Sequence, residues 1–490
     1  MSGFLKTHPP STVSHWIATN RGPSSLHNHG REDPMPERAD IVIVGAGIAG
    51  ALLAYHLAHP EDAKSSAFRG KRIVVLEGGE VASSATGRNG GHFAPATFLS
   101  YPRLIRPLSE GGAGLSKGQA VDILCQEWDN YVRNRAVIKK HGLESKVDLW
   151  EGKAMTVYGS EEELKSATDA YDQWREAMRD NGIKDDYSDN KFYKDRDEAV
   201  KVSRVKSAVG CSTRNAGSVH PHKLTTELLK LALASDHNAV SLFTSTPVLS
   251  LSEPSGGDGV ELKTSRGNVT APTVILCTNA HTPHLFPKGH PLNTFIYPIR
   301  TQMGLVTPPT TFAGVKSLET SYGFPRGYCA TSAGGIVVGV TPNDYIGQGI
   351  GSPEDFVCNS DDTALVGKVC TDYLEQFMES TMVGWGEQAI GEGLTRTWTG
   401  VMGYTIDRLP LIGPVPGRPG LFLSAGYNGH GMSTTHTCAR ALAHLLETGS
   451  WDQEFPEAYM LTPQRLERKL PDGGYVRLIT GKVVPPSAKA

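Results

Sequence analysis

What the chain lacks narrows its class first. No apolar run approaches the ~20 residues needed to span a bilayer, and the Pro-, Ser- and His-rich N-terminal region has no apolar signal core. A membrane-spanning protein and a secreted one are both disfavoured. Only 7 residues are cysteine, with no C-x-x-C and no histidine spacing that suits zinc. They read as reduced thiols of a cytoplasmic protein, and no metal site is expected. The terminal Ala488-Lys489-Ala490 is a poor match to the Ser-Lys-Leu peroxisomal address. There is no basic block and the net charge is only −3, which argues against nucleic acid or an anionic membrane as partner. Repeats and low-complexity tracts are absent, and 490 residues are too many for one core, so two domains are expected.

What is there begins with "ADIVIVGAGIAGALLAYHLAH". Ile41 to Val44 form a short buried strand, which turns through Gly45, Gly47 and Gly50 into an apolar helical run starting at Ile48 and Ala49. In G-x-G-x-x-G the first glycine makes the turn, the second admits a pyrophosphate and the third lets helix pack on strand. The helix start offers N–H groups and a positive dipole end to that pyrophosphate. "KRIVVLE" is then a second strand, ending on Glu77, placed to accept hydrogen bonds from an adenosine ribose. Glu77 lies 27 residues after Gly50, more than the usual ~20, and the polar "HPEDAKSSAFRG" reads as a surface insertion.

This order suits NAD or FAD. The next loop, "SSATGRNGGH", separates them. An NAD domain would continue into another crossover helix. Here the chain runs instead through Thr86, Gly87, Arg88, Asn89, Gly90, Gly91 and His92. Small residues let the backbone approach a flat ring or a diphosphate, and Arg88 and Asn89 bring donors. A surface turn would also use Asn-Gly. A second strand–glycine–helix unit, "GLFLSAGYNGHGMSTTHTCARALAHLLETG", carries Gly426, Gly429, Gly431 and Met432. Its helix start could stabilise the negative charge of a reduced flavin. Two such units separated by most of the chain suit one long cofactor.

The ordered set "GAGIAG", "ATGRNGGH", "GSVHPHKL", "VILCTNAHT", "GYTIDRLPLIG" and "AGYNGHGM" resembles the D-amino-acid-oxidase-like superfamily of FAD enzymes, and within it the γ-glutamylputrescine oxidase and sarcosine oxidase branch. The N-terminal "STVSHWIAT" resembles an arm of the former. The resemblance implies an α/β fold in which a Rossmann-like FAD-binding domain (36–97, 205–285 and 394–450) is interleaved with a mixed-sheet substrate domain (98–204 and 286–393). An arm, 1–35, and a tail, 451–490, flank them. It places the backbone near Val248 against the adenine. Helical patterns are expected at 119–141 and 161–180.

The implied reaction is oxidation of a C–N bond of an amine, with hydride passing to flavin N5 and oxygen reoxidising the flavin to give peroxide. A dehydrogenase or tailoring enzyme, or a catalytically silent flavin-binding protein, stays open beside it. Hydride departure needs an uncharged amine, whose pKa near ~10.4 must be depressed by desolvation. Aromatic walls could hold the incoming cation: Tyr328, Trp398, Tyr404 and Tyr427 are candidates, although ordinary packing accounts for each equally well. His92 and His430 adjoin the two glycine loops and are candidates at the flavin. Three departures from the sarcosine oxidase pattern carry expectations. The cysteine that tethers FAD there corresponds to Gly400, so FAD is expected to be non-covalent. A carboxylate-holding lysine corresponds to Ser433, which removes roughly 1.5–3 kcal/mol of charge-assisted contact, so small N-methyl amino acids are expected to be poor substrates, and a larger amine or one without an α-carboxylate to be preferred, unless Arg326 or Arg300 supplies the charge. The lysine that speeds oxygen reaction corresponds to Val337, which leaves His430 for that role.

Overall fold

The computed structural model describes residues 12–60, 66–254, 259–319, 321–471 and 473–480. The outer ends of the arm and tail, with the Ala-Lys-Ala terminus, and part of the polar insertion lie outside the described residues.

The first sheet has six strands, in the order Leu411–Pro414, Leu421–Ala425, Thr273–Leu276, Ile41–Val44, Arg72–Leu76 and Ala239–Phe243. All pairs are parallel except the edge pair Leu411–Pro414 with Leu421–Ala425. The central strands are apolar throughout because both faces are covered. Ile41, Ile43, Ile73, Val75 and Ile275 pack under Leu52, Leu224, Leu228 and Leu442 of the helices Ile48–Ala58, Pro221–Leu233 and Thr435–Thr448. Val42, Val44, Val74, Leu76, Val274 and Leu276 pack instead on Val260, Leu262 and Val269 of a three-stranded sheet, Val248–Ser252, Val260–Thr264 and Gly267–Ala271.

The second large sheet has nine strands, in the order Gly393–Thr405, Ile296–Thr307, Gly335–Gly339, Gly327–Ser332, Ser321–Phe324, Trp150–Tyr158, Gly210–Ser218 and His92–Phe93, with Lys191–Tyr193 also paired to Gly210–Ser218. It is mixed, the pair Ser321–Phe324 with Trp150–Tyr158 being parallel. Helices Lys117–Lys140 and Glu161–Asp180 match the patterns read at 119–141 and 161–180. The first starts earlier because Ser116 closes a capping box with Gln119; the second is capped by Ser160 with Glu161, Glu162 and Glu163 in its first turn.

The boundaries read from the sequence do not follow the sheets at three places. Gly210–Ser218 and Gly393–Thr405 fall in segments assigned to the cofactor domain, and so does His92–Phe93, yet all three are strands of the nine-stranded sheet. The chain crosses between the sheets beside each glycine loop, so the loops lie on the seam. The arm and tail are packed rather than loose over their described residues. Trp16 is buried. Arg465 pairs with the buried Asp407 at 2.9 Å, and Arg468 with the same carboxylate at 2.8 Å. Among the described residues no helix is long and apolar enough to cross a membrane.

Candidate active site

A cavity of about 1340 Å³ runs along the seam. At one end it is floored by the first glycine turn, where Gly45, Gly47, Ile48 and Ala49 line it. Gly50 does not line it and acts from behind: a Cβ there would sit 1.9 Å from the Gly45 carbonyl oxygen, so helix and turn could not close together. Gly47 caps the helix without a side chain, no acid occupies the first turn, and the Ile48 N–H donates to Thr86 Oγ1 at 3.0 Å. That end therefore keeps the positive character that receives a phosphate. Glu77 faces the same end. Its Oε2 accepts from the Ala46 N–H and its Oε1 from the Gly79 N–H, each at 2.8 Å. Burial raises its pKa, against the pull of those N–H groups. Two of about four acceptor positions are filled, which leaves others for hydroxyls. Val248 also lines the cavity.

The loop 86–92 is held from outside by its carbonyls. Gly87 O accepts from Ser14 Oγ, Arg88 O from Trp398 Nε1 at 2.8 Å and Asn89 O from Trp16 Nε1 at 2.7 Å. Thr86, Arg88, Asn89, Gly90 and His92 line the cavity, whereas Gly87 and Gly91 do not. Gly91 has φ +75°, and a Cβ there would meet Trp16 Cζ2 at 2.7 Å. Two expectations change here. Arg88 was read as bringing donors to the cofactor, but its guanidinium donates to Ser83 O, Thr399 O and both Thr12 oxygens, with Asp362 at 3.8 Å. Trp398, read as an aromatic wall, does not line the cavity; it is fully buried against Trp16, Met303 and Val337. Both residues fasten the loop.

The second glycine loop closes the cavity with Gly429, His430, Gly431, Met432 and Ser433. Gly426 lies outside, tucked under Thr405. Asn130, from Lys117–Lys140, donates to Met432 O at 2.9 Å and accepts from His436 N–H at 2.8 Å, so that helix sets the second glycine loop. Thr434 makes no side-chain cap of the helix Thr435–Thr448, and its N-terminus points its dipole toward this loop.

The nine-stranded sheet supplies the remaining wall: Tyr328, Tyr404, Gly400, Thr301, Met303, Thr156 and Ser321, with Tyr427 from the second loop. His92 Nδ1 is hydrogen-bonded to Ser321 Oγ, while its buried Nε2 has no partner. Burial, with Arg214 and His430 nearby, drops the His92 pKa to about 4, so the ring is neutral at neutral pH. Tyr328 stands edge-on to it, ring centroids 5.0 Å apart, and its Oη reaches Met303 Sδ at 3.6 Å. Tyr427 Oη is tied to Ser424 Oγ at 2.6 Å. Val337 is buried away from the cavity, and no lysine lines it among the described residues. Arg326 and Arg300 do not line it either; Arg300 donates to Asp355 O and Asp361 O, each at 2.9 Å. The arginine that does line this end is Arg214, in Gly210–Ser218, which sequence reasoning missed. The available signal was a lone charge in the small-residue stretch "GCSTRNAGS".

The family of FAD dependent oxidoreductases (DAO) matches residues 40–445. The chain belongs to that family. It is 23% identical over 417 residues to the probable oxidoreductase OrdL of Haemophilus influenzae, covering 84% of this chain and 83% of the relative. Against the gamma-glutamylputrescine oxidoreductase of Escherichia coli it is 23% identical over 421 residues, 83% of each chain. In fold it is similar to glycine oxidase from Geobacillus kaustophilus, with a TM-score of 0.64 at 19% identity over 87% of this chain and 99% of that one. L-amino acid deaminase from Proteus vulgaris gives 0.65 at 17% identity, over 89% and 99%.

The residues present fit FAD. The phosphate-receiving helix start, the free acceptor positions on Glu77, the thin loop 86–92 and the second helix N-terminus follow one another along one cavity. Its volume exceeds the roughly 300–1,000 Å³ of a pocket for a drug-sized ligand, which leaves room for a substrate beside a dinucleotide. Among the described residues no group of three or more His, Cys, Asp or Glu side chains is placed to hold a metal ion.

Proposed function

We propose that this family member oxidises the C–N bond of an amine or amino-acid derivative to an imine, which water then splits to a carbonyl compound and an amine. The observation that carries the reading is the join between the FAD cradle and a buried pocket walled by Tyr328, Tyr404 and a neutral His92. The names of the relatives, a gamma-glutamylputrescine oxidoreductase and a glycine oxidase among them, support amines as the substrate class. Bound FAD would supply the two-electron acceptor for the hydride leaving the carbon that bears the nitrogen, with oxygen as final oxidant and peroxide as product.

The chain's own residues prepare the amine. The tyrosine faces attract the incoming ammonium, and burial then favours its uncharged form. A neutral His92 adds no repulsion. Its low pKa also means that it does not keep the proton, so desolvation rather than a strong base selects the free amine. Tyr328, His92, Tyr404 and His430, which line the cavity, are the residues we propose to touch substrate or flavin.

FAD is held without a covalent bond in this reading. Gly400 stands where the related tether would be, and the cysteine that lines the cavity, Cys277, has its thiol pushed up to about 12 by burial. Acid precipitation should leave the yellow colour in the supernatant; colour in the pellet would contradict it, with His92 the first residue to inspect.

A second reading, a dehydrogenase that passes electrons elsewhere, is favoured by the absence of any lysine from the cavity lining among the described residues. Anaerobic mixing of the flavin-loaded protein with a panel of amines and amino acids tests the first reading. Bleaching of the flavin supports it, and no bleaching by any of them removes it. Peroxide release on admitting oxygen then separates oxidase from dehydrogenase.

A further inference from the structure

Four of the chain's 10 methionines line the seam cavity: Met155, Met303, Met402 and Met432. Three belong to the strands Trp150–Tyr158, Ile296–Thr307 and Gly393–Thr405 of the nine-stranded sheet, and the fourth to the second glycine loop. None comes from the first glycine turn or its sheet, so the thioethers gather on the wall that carries Tyr328, Tyr404 and His92. Gap-filling accounts for a methionine that only packs. Met303 does more. Its Sδ accepts the Tyr328 hydroxyl at 3.6 Å. The rest of its side chain packs with Trp16, Leu305, Val337 and Trp398, and the two indoles of that cluster hold the loop 86–92 by its carbonyls. Burial pushes the Tyr328 pKa up, so the hydroxyl keeps its proton beside the sulfur. The cysteine on the cavity wall is a poor competitor for an oxidant: the thiolate is its reactive form, and burial pushes the Cys277 thiol up to about 12. A thioether needs no deprotonation to be oxidised.

We infer that Met303 is a self-modification site: peroxide formed when oxygen reoxidises the bound flavin transfers an oxygen atom to Met303 Sδ, with Tyr328 as the proton donor. The sulfur lone pair attacks one peroxide oxygen and the O–O bond breaks. The departing hydroxide takes the Tyr328 proton and leaves as water, and the proton of the sulfur-bound hydroxyl returns to Tyr328. Sulfur is oxidised by two electrons, peroxide is reduced to water, and an S–O bond replaces the O–O bond. The sulfoxide oxygen is a strong acceptor where the thioether was a weak one, so it holds the Tyr328 hydroxyl away from the cavity. It also puts a polar group among Leu305 and Val337, beside the indoles that fasten the loop. Turnover thereby weakens first the amine wall and then the hold on FAD, and a sulfoxide reductase would restore both.

This inference rests on the oxidase form of the proposed function, and the test keeps the two apart without needing the amine. The flavin-loaded protein is photoreduced anaerobically and mixed with isotopically heavy oxygen in repeated cycles, with catalase present to destroy peroxide that escapes. A parallel sample without catalase measures the peroxide released. The methionine peptides are then read by mass spectrometry. Heavy oxygen is expected at Met303 in the parent, about tenfold or more above Met35 and Met460, which lie outside the cavity lining. Tyr328→Phe should cut the label at Met303 and spare Met402. Met303→Leu, close in volume, should retain its flavin through cycles in which the parent loses it. Peroxide release with no label at Met303, or with equal label at Met35 and Met460, overturns the inference and leaves the oxidase reading intact. So does an undiminished label in Tyr328→Phe, or flavin retention in the parent that matches Met303→Leu. No peroxide ends the oxidase reading and the inference with it. Should Met303→Leu load FAD poorly, the label ratio in the parent and Tyr328→Phe decide.

Discussion

Two buried arginines line the same cavity and are treated in opposite ways. Arg88, 1% exposed, gives four hydrogen bonds to Ser83, Thr399 and Thr12 and has Asp362 at 3.8 Å. Arg214, 8% exposed, gives two and has no carboxylate partner among the described residues. One guanidinium joins three parts of the chain, and the other keeps donors unused on the cavity wall. Cavity lining alone therefore does not identify a fastener; the hydrogen-bond count does. The comparison is broken most directly by removing each in turn. Arg88→Met strands the Ser83 and Thr399 carbonyls and unties Thr12, so a loss of about 3–5 kcal/mol is expected, with flavin released on purification. Arg214→Met should cost less than about 1 kcal/mol, or stabilise, because it removes an uncompensated charge. Thermal denaturation of both variants measures this, and equal losses would erase the distinction.

The histidines extend the contrast to pH. His92 has its pKa lowered to about 4, His222 to about 4 and His220 to about 2, each mainly by burial. His220 and His222 fasten the arm, through Thr19 at 2.9 Å and Asn20 at 2.9 Å. In the unfolded chain these rings take up protons near pH ~6.5, whereas in the folded chain they do so only much lower. Unfolding therefore binds protons on the acid side. Their stabilisation is fully present above pH ~6.5 and is lost as pH falls from there through about 4, His220 continuing below. The melting temperature should drop across that window. His220→Asn should flatten the slope, because asparagine keeps the cap that His220 Nδ1 gives Lys223 N–H but does not titrate. An unchanged slope would remove His220 from the account.

Much of this molecule is readable in its sequence, for physical reasons that also mark where reading stops. Strand Ile41–Val44, the glycine turn and Glu77 are legible because buried parallel strands are apolar on both faces and a phosphate-binding turn admits few residues. The sheet that Gly210–Ser218 and Gly393–Thr405 join is not legible in the sequence because their partners are far along the chain: Arg300 pairs with Val401, and Arg214 with Ala154. Where the side chains of Arg88 and Trp398 point is not legible in the sequence for a related reason. A donor beside a glycine loop looks the same in sequence whether it points at the cofactor or away from it. Arg214 was invisible because nothing local marks a charge whose partners, Pro95 and Thr156, come from other segments.

The two glycine loops differ in a way that bears on oxygen. The first presents His92, buried and neutral, whereas the second presents His430, accessible within the cavity and adjoining the helix Thr435–Thr448. Val337 lies under Trp398 and cannot supply a charge. If reduced flavin in the parent reacts with oxygen faster than free reduced flavin, a cation beside it is stabilising the superoxide formed first. His430→Ala should then slow reoxidation by at least about tenfold, while His92→Asn leaves it nearly unchanged. Stopped-flow mixing of the anaerobically reduced protein with oxygen reads this. An unaltered rate in His430→Ala clears that residue of the role.

Trp398 tests the fastener idea at a single atom. Its indole Nε1 donates to the Arg88 carbonyl at 2.8 Å, and its ring is buried with Trp16, Met303 and Val337 away from the cavity. Trp398→Phe keeps most of the apolar contact and removes the donor, which leaves a buried carbonyl without a partner and should cost about 1–3 kcal/mol. Since the ring touches neither cofactor nor substrate space, KM for any amine that bleaches the flavin should hold. The change should appear instead as a lower melting temperature and faster flavin loss on dilution. A wall residue would behave in reverse, as Tyr328→Phe or Tyr404→Ala should, with KM or kcat altered and stability moved less. A raised KM in Trp398→Phe at unchanged flavin retention would return Trp398 to the substrate wall and place the loop's support on Ser14, Trp16 and the Arg88 guanidinium.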